Sequence, residues 1–299
     1  MTETSISHAA LFGAVLFGLI FVARLLAWRL VRLAIWGYGR TGTWVDGVGM
    51  RERIRPWIAV ARARAPRLCA AVEPRLSPRH FAGLPLTLIA VAALYLAGLF
   101  AGLIEEVMEA EGLHRLDEAI NAFFGPWRDH LLVALFLWIT ELGAGPTLTA
   151  VSIVATGFLW AHRRAGFVLP LWVSFIGAQA TTWLGKYVIA RDRPTFIEAV
   201  TAASPSFPSG HATAAMALYG FLAYVIARDL PSLRMRFEIA FWAAVLIACV
   251  AFSRIFLSVH YASDIAAGLL VGAFWLLVGF ALSELARGRA VESGQNDRQ

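Results

Sequence analysis

The chain has 299 residues, 59% of them hydrophobic and 15% charged, with a mean hydropathy of +0.66. Soluble domains average about 45–50% apolar and about 25% charged residues, so this composition excludes an ordinary water-soluble domain and predicts a polytopic membrane protein. The formal net charge of +6 sits mostly on Arg residues beside apolar runs, where it signals topology; no nucleic-acid-binding motif accompanies it, and no nucleic-acid partner is expected.

The first apolar run, Ala9 to about Trp28, lacks a basic n-region and is followed by Arg, the pattern of an uncleaved anchor. An Arg-rich stretch follows, from about Arg29 to Arg79. Its Gly37, Gly39, Gly42, Gly47, Gly49, Pro56, Pro66, Pro74 and Pro78 argue against one continuous helix. Trp36, Trp44 and Trp57 among the arginines fit a membrane surface, and an ordinary cytoplasmic linker fits as well.

About 20 mostly apolar residues cross the hydrocarbon core. Gly83 to Ile104 is such a run. The acidic stretch behind it is amphipathic, with Leu113, Leu116, Ile120 and Phe124 at helical spacing, so that one face lies on the membrane or packs on the bundle. Leu131 to Ile139 is too short to cross alone, and Glu141, Gly143, Gly145 and Pro146 bend the chain before a run to Ala161. Further spans are expected at about Gly166–Ile189, Ala212–Ala227, Phe237–Val259 and Ser263–Leu285. The expected fold is an all-α polytopic membrane bundle. It divides into a membrane anchor (1–36), an Arg-rich cytoplasmic or interfacial linker (37–80), a six-helix membrane domain (81–286) and a polar tail (287–299).

Arg163 and Arg164, the group Arg228, Arg234 and Arg236, and the pair Arg287 and Arg289 all fall on one side by this count, which the positive-inside rule makes cytoplasmic. The basic residues on the outward side break that rule and so need another explanation. They form three clusters: Lys186 to Arg193-Pro194; Pro208-Ser209-Gly210-His211; and Ser253-Arg254 with His260 and Asp264. Of 26 basic residues only Lys186 is Lys, a weak hint that an ammonium is needed there. Each cluster lies at the outer end of an expected span, and ionisable residues near a membrane core point to function.

The chemistry that fits is phosphoryl transfer. A phosphoryl group in flight spreads negative charge over three oxygens, and Lys186, Arg193 and Arg254 supply three cations. Ser209 and Gly210 precede an expected helix start, where backbone N–H groups face an anion. His260 and Asp264 are four apart, on one face if the last helix has begun by His260, so the carboxylate fixes the imidazole tautomer and leaves the other nitrogen as nucleophile. His211 is placed to protonate the leaving oxygen and then activate water. Neither a cofactor nor a metal ion is called for. Arg191 and Asp192 pair with each other or with motif residues, and His8, His80, His114, His130 and His162 are flank or interface residues. Cys69 and Cys249 match no zinc or redox spacing.

These segments resemble the type 2 phosphatidic acid phosphatase family, whose signature is K-x6-RP, PSGH and SR-x5-H-x3-D. All fixed positions are present: Lys186, Arg193, Pro194, Pro208, Ser209, Gly210, His211, Ser253, Arg254, His260 and Asp264. The resemblance covers roughly Gly83 to Leu285. It implies a six-helix membrane phosphatase acting through a phosphohistidine on a lipid phosphate, at the periplasmic or outer face of the inner (plasma) membrane. The family also includes acid phosphatases and vanadium haloperoxidases. An undecaprenyl diphosphate or a phospholipid phosphomonoester ranks first as substrate. The alternatives are a lipid A-type phosphatase, a lipid phosphotransferase using the same phosphohistidine, and a transporter or scaffold with the same fold. The oligomeric state is not legible.

Overall fold

The computed structural model describes residues 3–47, 50–77, 81–109, 111–194 and 204–296. Gly49, Pro78, Arg79 and His80 lie outside the described residues, as does 195–203 of the outward-facing segment. The described residues form eleven α-helices with short 3-10 turns and no strand.

The chain divides into two compact units, 12–88 and a second made of 89–299 with the first eleven residues. In the first unit, α1 (Glu3–Gly47) is 45 residues long. It runs on past the apolar run through Gly37, Gly39 and Gly42 and stops at Gly47, so the Arg-rich stretch from 29 to 79 is not one continuous helix. Glycine costs a helix interior only about 1 kcal/mol, too little to end an established helix at scattered positions. α2 (Met50–Arg64) keeps Pro56 within it and gives way to α3 (Pro66–Val72), which opens with Pro66, where a missing amide costs nothing. The Arg62 guanidinium pairs with Glu73 at 2.7 Å across this corner.

The second unit takes most of α4 (Leu84–Glu109), then α5 (Glu111–Phe123), α6 (His130–Glu141), α7 (Gly145–Ala161), α8 (Val168–Ile189), α9 (Gly210–Arg228), α10 (Leu233–Phe256) and α11 (Ala262–Asn296). Helices α1, α4, α8, α9, α10 and α11 are long and apolar enough to cross a membrane. α6 and α7 qualify as one span bent by 42°. With that pair the count among the described residues reaches seven, the N-terminal helix plus six. The Asp129 side chain caps α6 by accepting from the Leu132 amide at 2.9 Å, and Ser232 caps α10 through Met235 at 3.1 Å.

α9 is the central helix, packed against α7, α8, α10 and α11. Lipid offers no hydrophobic drive for helices to associate, so close packing of small residues must supply it. α9 buries Ala212, Ala214, Ala215, Ala217 and Ala223, and α11 meets it through glycines. A Cβ at Gly268 would lie 2.7 Å from the Ser209 carbonyl oxygen, and one at Gly272 2.6 Å from that of Thr213. Leu148, Leu171, Phe175, Leu218 and Phe221 fill the layer beneath. This packing sets the C-terminal ends of α8 and α10 beside the N-terminal ends of α9 and α11.

The amphipathic α5 differs from its sequence pattern. Leu113, Ile120 and Phe124 turn inward to half-buried positions, but Leu116 is 55% exposed, while Asp117 and Asn121 are buried at 1% and 0%. Polar groups are buried in that way only where they find partners.

Candidate active site

Two left-handed turns aim the motif residues inward. Lys186 occupies the last turn of α8, which stops at Ala190 with φ 50°, and the chain doubles back so that Arg191 and Arg193 approach the bundle. Ser258, with φ 55°, does the same between Arg254 at the end of α10 and His260. Neither residue is glycine, and each costs about 1–2 kcal/mol in that conformation, so the surrounding bonds must hold it. Ser206 ties the first turn to the second motif by donating its amide to the Arg191 carbonyl at 2.8 Å and its hydroxyl to that of Asp192 at 2.9 Å.

Asp264, fully buried, accepts the Tyr261 amide on Oδ2 at 2.9 Å, which closes the first turn of α11 in the manner of a capping box. The same oxygen lies 3.3 Å from Nδ1 of His260. That bond places the proton on Nδ1 and leaves the lone pair on Nε2, which faces the Arg193 Nη1 at 3.3 Å. Burial, the largest cause, and Arg254 and Arg193 hold the His260 imidazolium down to about 4, against the pull of Asp264. His260 is therefore neutral at pH 7, as a nucleophile must be. Its NMR titration, assigned by difference from His260→Ala, is expected to have a midpoint near 4; a midpoint at the ordinary 6.5 would contradict this account.

Three cations converge on this imidazole from different elements. Arg193 donates from Nε to the Ser204 carbonyl at 2.7 Å and from Nη1 to that of Val259 at 2.6 Å. The Lys186 ammonium donates to Ser204 Oγ at 3.3 Å and to the Pro205 carbonyl. Arg254, 8% exposed, donates from Nη1 to Thr140 Oγ1 at 2.7 Å, so α6 holds the third cation. His211 stands in the first turn of α9, pressed against the α6–α7 corner. A Cβ at Gly143 would lie 2.4 Å from Val250 Cγ1 and 3.3 Å from the His211 Cβ, so glycine lets this corner approach α10 and the His211 ring.

Ser209 departs from expectation. Its amide does not face an anion but donates to the Asp264 carbonyl at 3.0 Å, locking α9 to α11. Its hydroxyl is buried and without a hydrogen-bond partner, and so is the Nε of Arg254. The first intrahelical bond of α9 runs from Thr213 to the Ser209 carbonyl, so the donors of the helix start belong to Gly210, His211 and Ala212. Two orphaned donors between three cations suit a tetrahedral oxyanion, since buried polar groups without partners are costly.

The structure thus brings together all eight expected residues, Lys186, Arg193, Ser209, Gly210, His211, Arg254, His260 and Asp264, and adds three. Thr140 gives no sequence signal. Arg191 stands two before Arg193, and its guanidinium joins Asp264 Oδ1 at 2.7 Å and Asp117 Oδ2 at 2.9 Å, in place of Asp192. The one clue to Asp117 was an acidic residue within the apolar spacing of α5. Among the described residues, no three His, Cys, Asp or Glu side chains cluster as metal ligands.

Residues 167–287 match the PAP2 superfamily, a stretch that contains all three motif segments. A phosphatidylglycerophosphatase B of Bacillus subtilis (strain 168) is 29% identical over 185 residues, covering 61% of this chain and 91% of that protein. The crystal structure of a transmembrane PAP2-type phosphatidylglycerolphosphate phosphatase from Bacillus subtilis superposes with a TM-score of 0.59 at 26% identity, covering 63% of this chain and 94% of the other. In sequence, in fold and at the fixed motif positions, residues 167–287 are similar to the PAP2 superfamily.

Proposed function

We propose that the protein is an integral membrane lipid phosphatase that hydrolyses the phosphomonoester of a phospholipid through a phosphohistidine, with its site at the outer end of the bundle. The observation that carries this reading is the pair of orphaned buried donors, Ser209 Oγ and Arg254 Nε, set among Lys186, Arg193 and Arg254 beside the lone pair of His260. In the first step His260 Nε2 attacks phosphorus, the bond from phosphorus to the lipid oxygen breaks, and His211 protonates that oxygen. In the second, His211 takes a proton from water, the hydroxide attacks phosphorus, and the phosphorus–nitrogen bond to His260 breaks to release phosphate. Asp264 stabilises the proton on Nδ1 throughout. Charge on the transferring group is met by Lys186, Arg193 and Arg254, by Ser209 Oγ, and by the Gly210 and His211 amides at the start of α9.

Two observations support the outward placement. The motif residues share one end of α8 to α11, while Arg163, Arg164, Arg228, Arg234 and Arg236 share the other. Phosphatidylglycerophosphate ranks first as substrate because the Bacillus relative is named for it; undecaprenyl diphosphate is the second reading. Phosphate release in detergent is expected from phosphatidylglycerophosphate in EDTA, with inhibition by vanadate, which mimics pentacoordinate phosphorus. A strict requirement for Mg²⁺ would overturn the metal-independent route. Release from undecaprenyl diphosphate alone would shift the substrate to the diphosphate, and a trapped phosphohistidine without release would make the protein a transferase.

A further inference from the structure

Arg191 stands outside the chemistry just described, yet its guanidinium bonds two buried carboxylates beside it. Nη1 donates to Asp264 Oδ1 and to Ser263 Oγ, both at 2.7 Å, and Nη2 donates to Asp117 Oδ2 at 2.9 Å. Its plane also lies on the Tyr261 ring, 4.3 Å from the centroid. Asp117 in turn accepts the Ser263 amide on Oδ1 at 3.0 Å and the Ser263 hydroxyl on Oδ2. His114, one turn earlier on α5, meets the Tyr261 ring edge-on at 5.6 Å.

The local sequence explains why this assembly is needed. α11 starts directly after Tyr261, a residue with no short side-chain acceptor for the amides of the first turn. Asp264 serves the Tyr261 amide, and Asp117 reaches across from α5 to serve that of Ser263. A carboxylate at a helix N-terminus is favoured by the dipole, but two carboxylates there repel each other. Arg191 lies between them and bonds both. With Oδ1 of Asp264 fixed by Arg191, only Oδ2 is left for His260, and its direction is set.

We propose that Asp117 and Arg191 are positioning residues for the phosphohistidine reaction: Arg191 orients Asp264 toward His260, and Asp117 anchors Arg191, so that α5 is a fixed wall of the site and not a gate. This rests on the phosphatase reading given above. The geometry gives the two residues unequal effects. Loss of Arg191 frees Asp264 directly. Asp117→Asn keeps an acceptor and removes only a charge.

The experiment measures kcat and KM for phosphate release by the full-length protein in detergent, with His260→Ala as reference. Arg191→Ala is expected to lower kcat by about 10–100-fold, the usual range for partners that orient a reacting group, with KM changed by less than about threefold. Because the Arg191 side chain is 12% exposed, added guanidinium should restore part of the lost kcat, and Arg191→Lys, a point charge without the fork, should not. Asp117→Asn should lower kcat less than Arg191→Ala, again without a change in KM. An Arg191→Ala protein with normal kcat, one impaired in KM alone, or one that guanidinium does not rescue would overturn the proposal. If Arg191→Ala does not fold, Asp117→Asn decides it: unaltered kcat overturns the proposal and lowered kcat at constant KM supports it. Wild-type release that His260→Ala leaves intact would instead overturn the underlying mechanism.

Discussion

His260→Ala is expected to abolish phosphate release, a loss of about 10⁵-fold or more, since removing a nucleophile from a two-step covalent mechanism takes away both steps at once. The ring is 1% exposed and its removal leaves a cavity, so thermal unfolding in detergent must be measured alongside. The decisive form of the test is a brief incubation with phosphate-labelled lipid, quenched in base where phosphohistidine survives. Wild-type protein should carry label on one histidine, and His260→Ala should carry none. His211→Ala keeps the nucleophile and loses the acid, so with a good leaving group it should still take up label and then release it slowly. Label on His211 instead would exchange the two roles.

The second large effect belongs to Asp264→Asn, expected to lower kcat by about 10³–10⁴-fold with little change in KM, the scale seen when a carboxylate that orients a catalytic imidazole becomes an amide. The reason lies in the bonds of Oδ2, which receives both the Tyr261 amide and Nδ1 of His260. An amide NH₂ at that position would face two donors and repel them. Turned the other way, it would put its NH₂ against Arg191. In the first orientation the proton is no longer held on Nδ1, and in either the imidazolium product loses its counter-charge. A variant affected mainly in KM would remove Asp264 from this role and leave it as a helix cap.

Both effects sit on residues that were legible without coordinates. Lys186, Arg193, Arg254, His260 and Asp264 are charged or titratable groups at span ends, where bland explanations run short, and their spacing is fixed within each segment. The spans were equally legible, because 20 apolar residues in a row leave few other fates. Legibility failed where the cause was tertiary. The continuation of α1 to Gly47 was not legible because scattered glycines are too cheap to stop a helix. The burial of Asp117 beside an exposed Leu116 was not legible because apolar spacing cannot know that the facing surface of α11 presents an amide in want of an acceptor. The amide of Ser209 was assigned to an anion because its partner, the Asp264 carbonyl, lies 55 positions along the chain, from 209 to 264.

The sequence by itself thus determined the membrane-helical class, the spans and the set of chemically capable residues, since those follow from composition, run length and short-range spacing. Only the tertiary structure decided which donors remain open at the site, that α6 supplies Thr140 to Arg254, and that Asp117, Arg191 and Asp264 share one buried network. Those facts depend on helices far apart in sequence meeting at a chosen rotation. That rotation is set by the close approach of α9 and α11 at Gly268 and Gly272, a packing choice that no single segment carries alone.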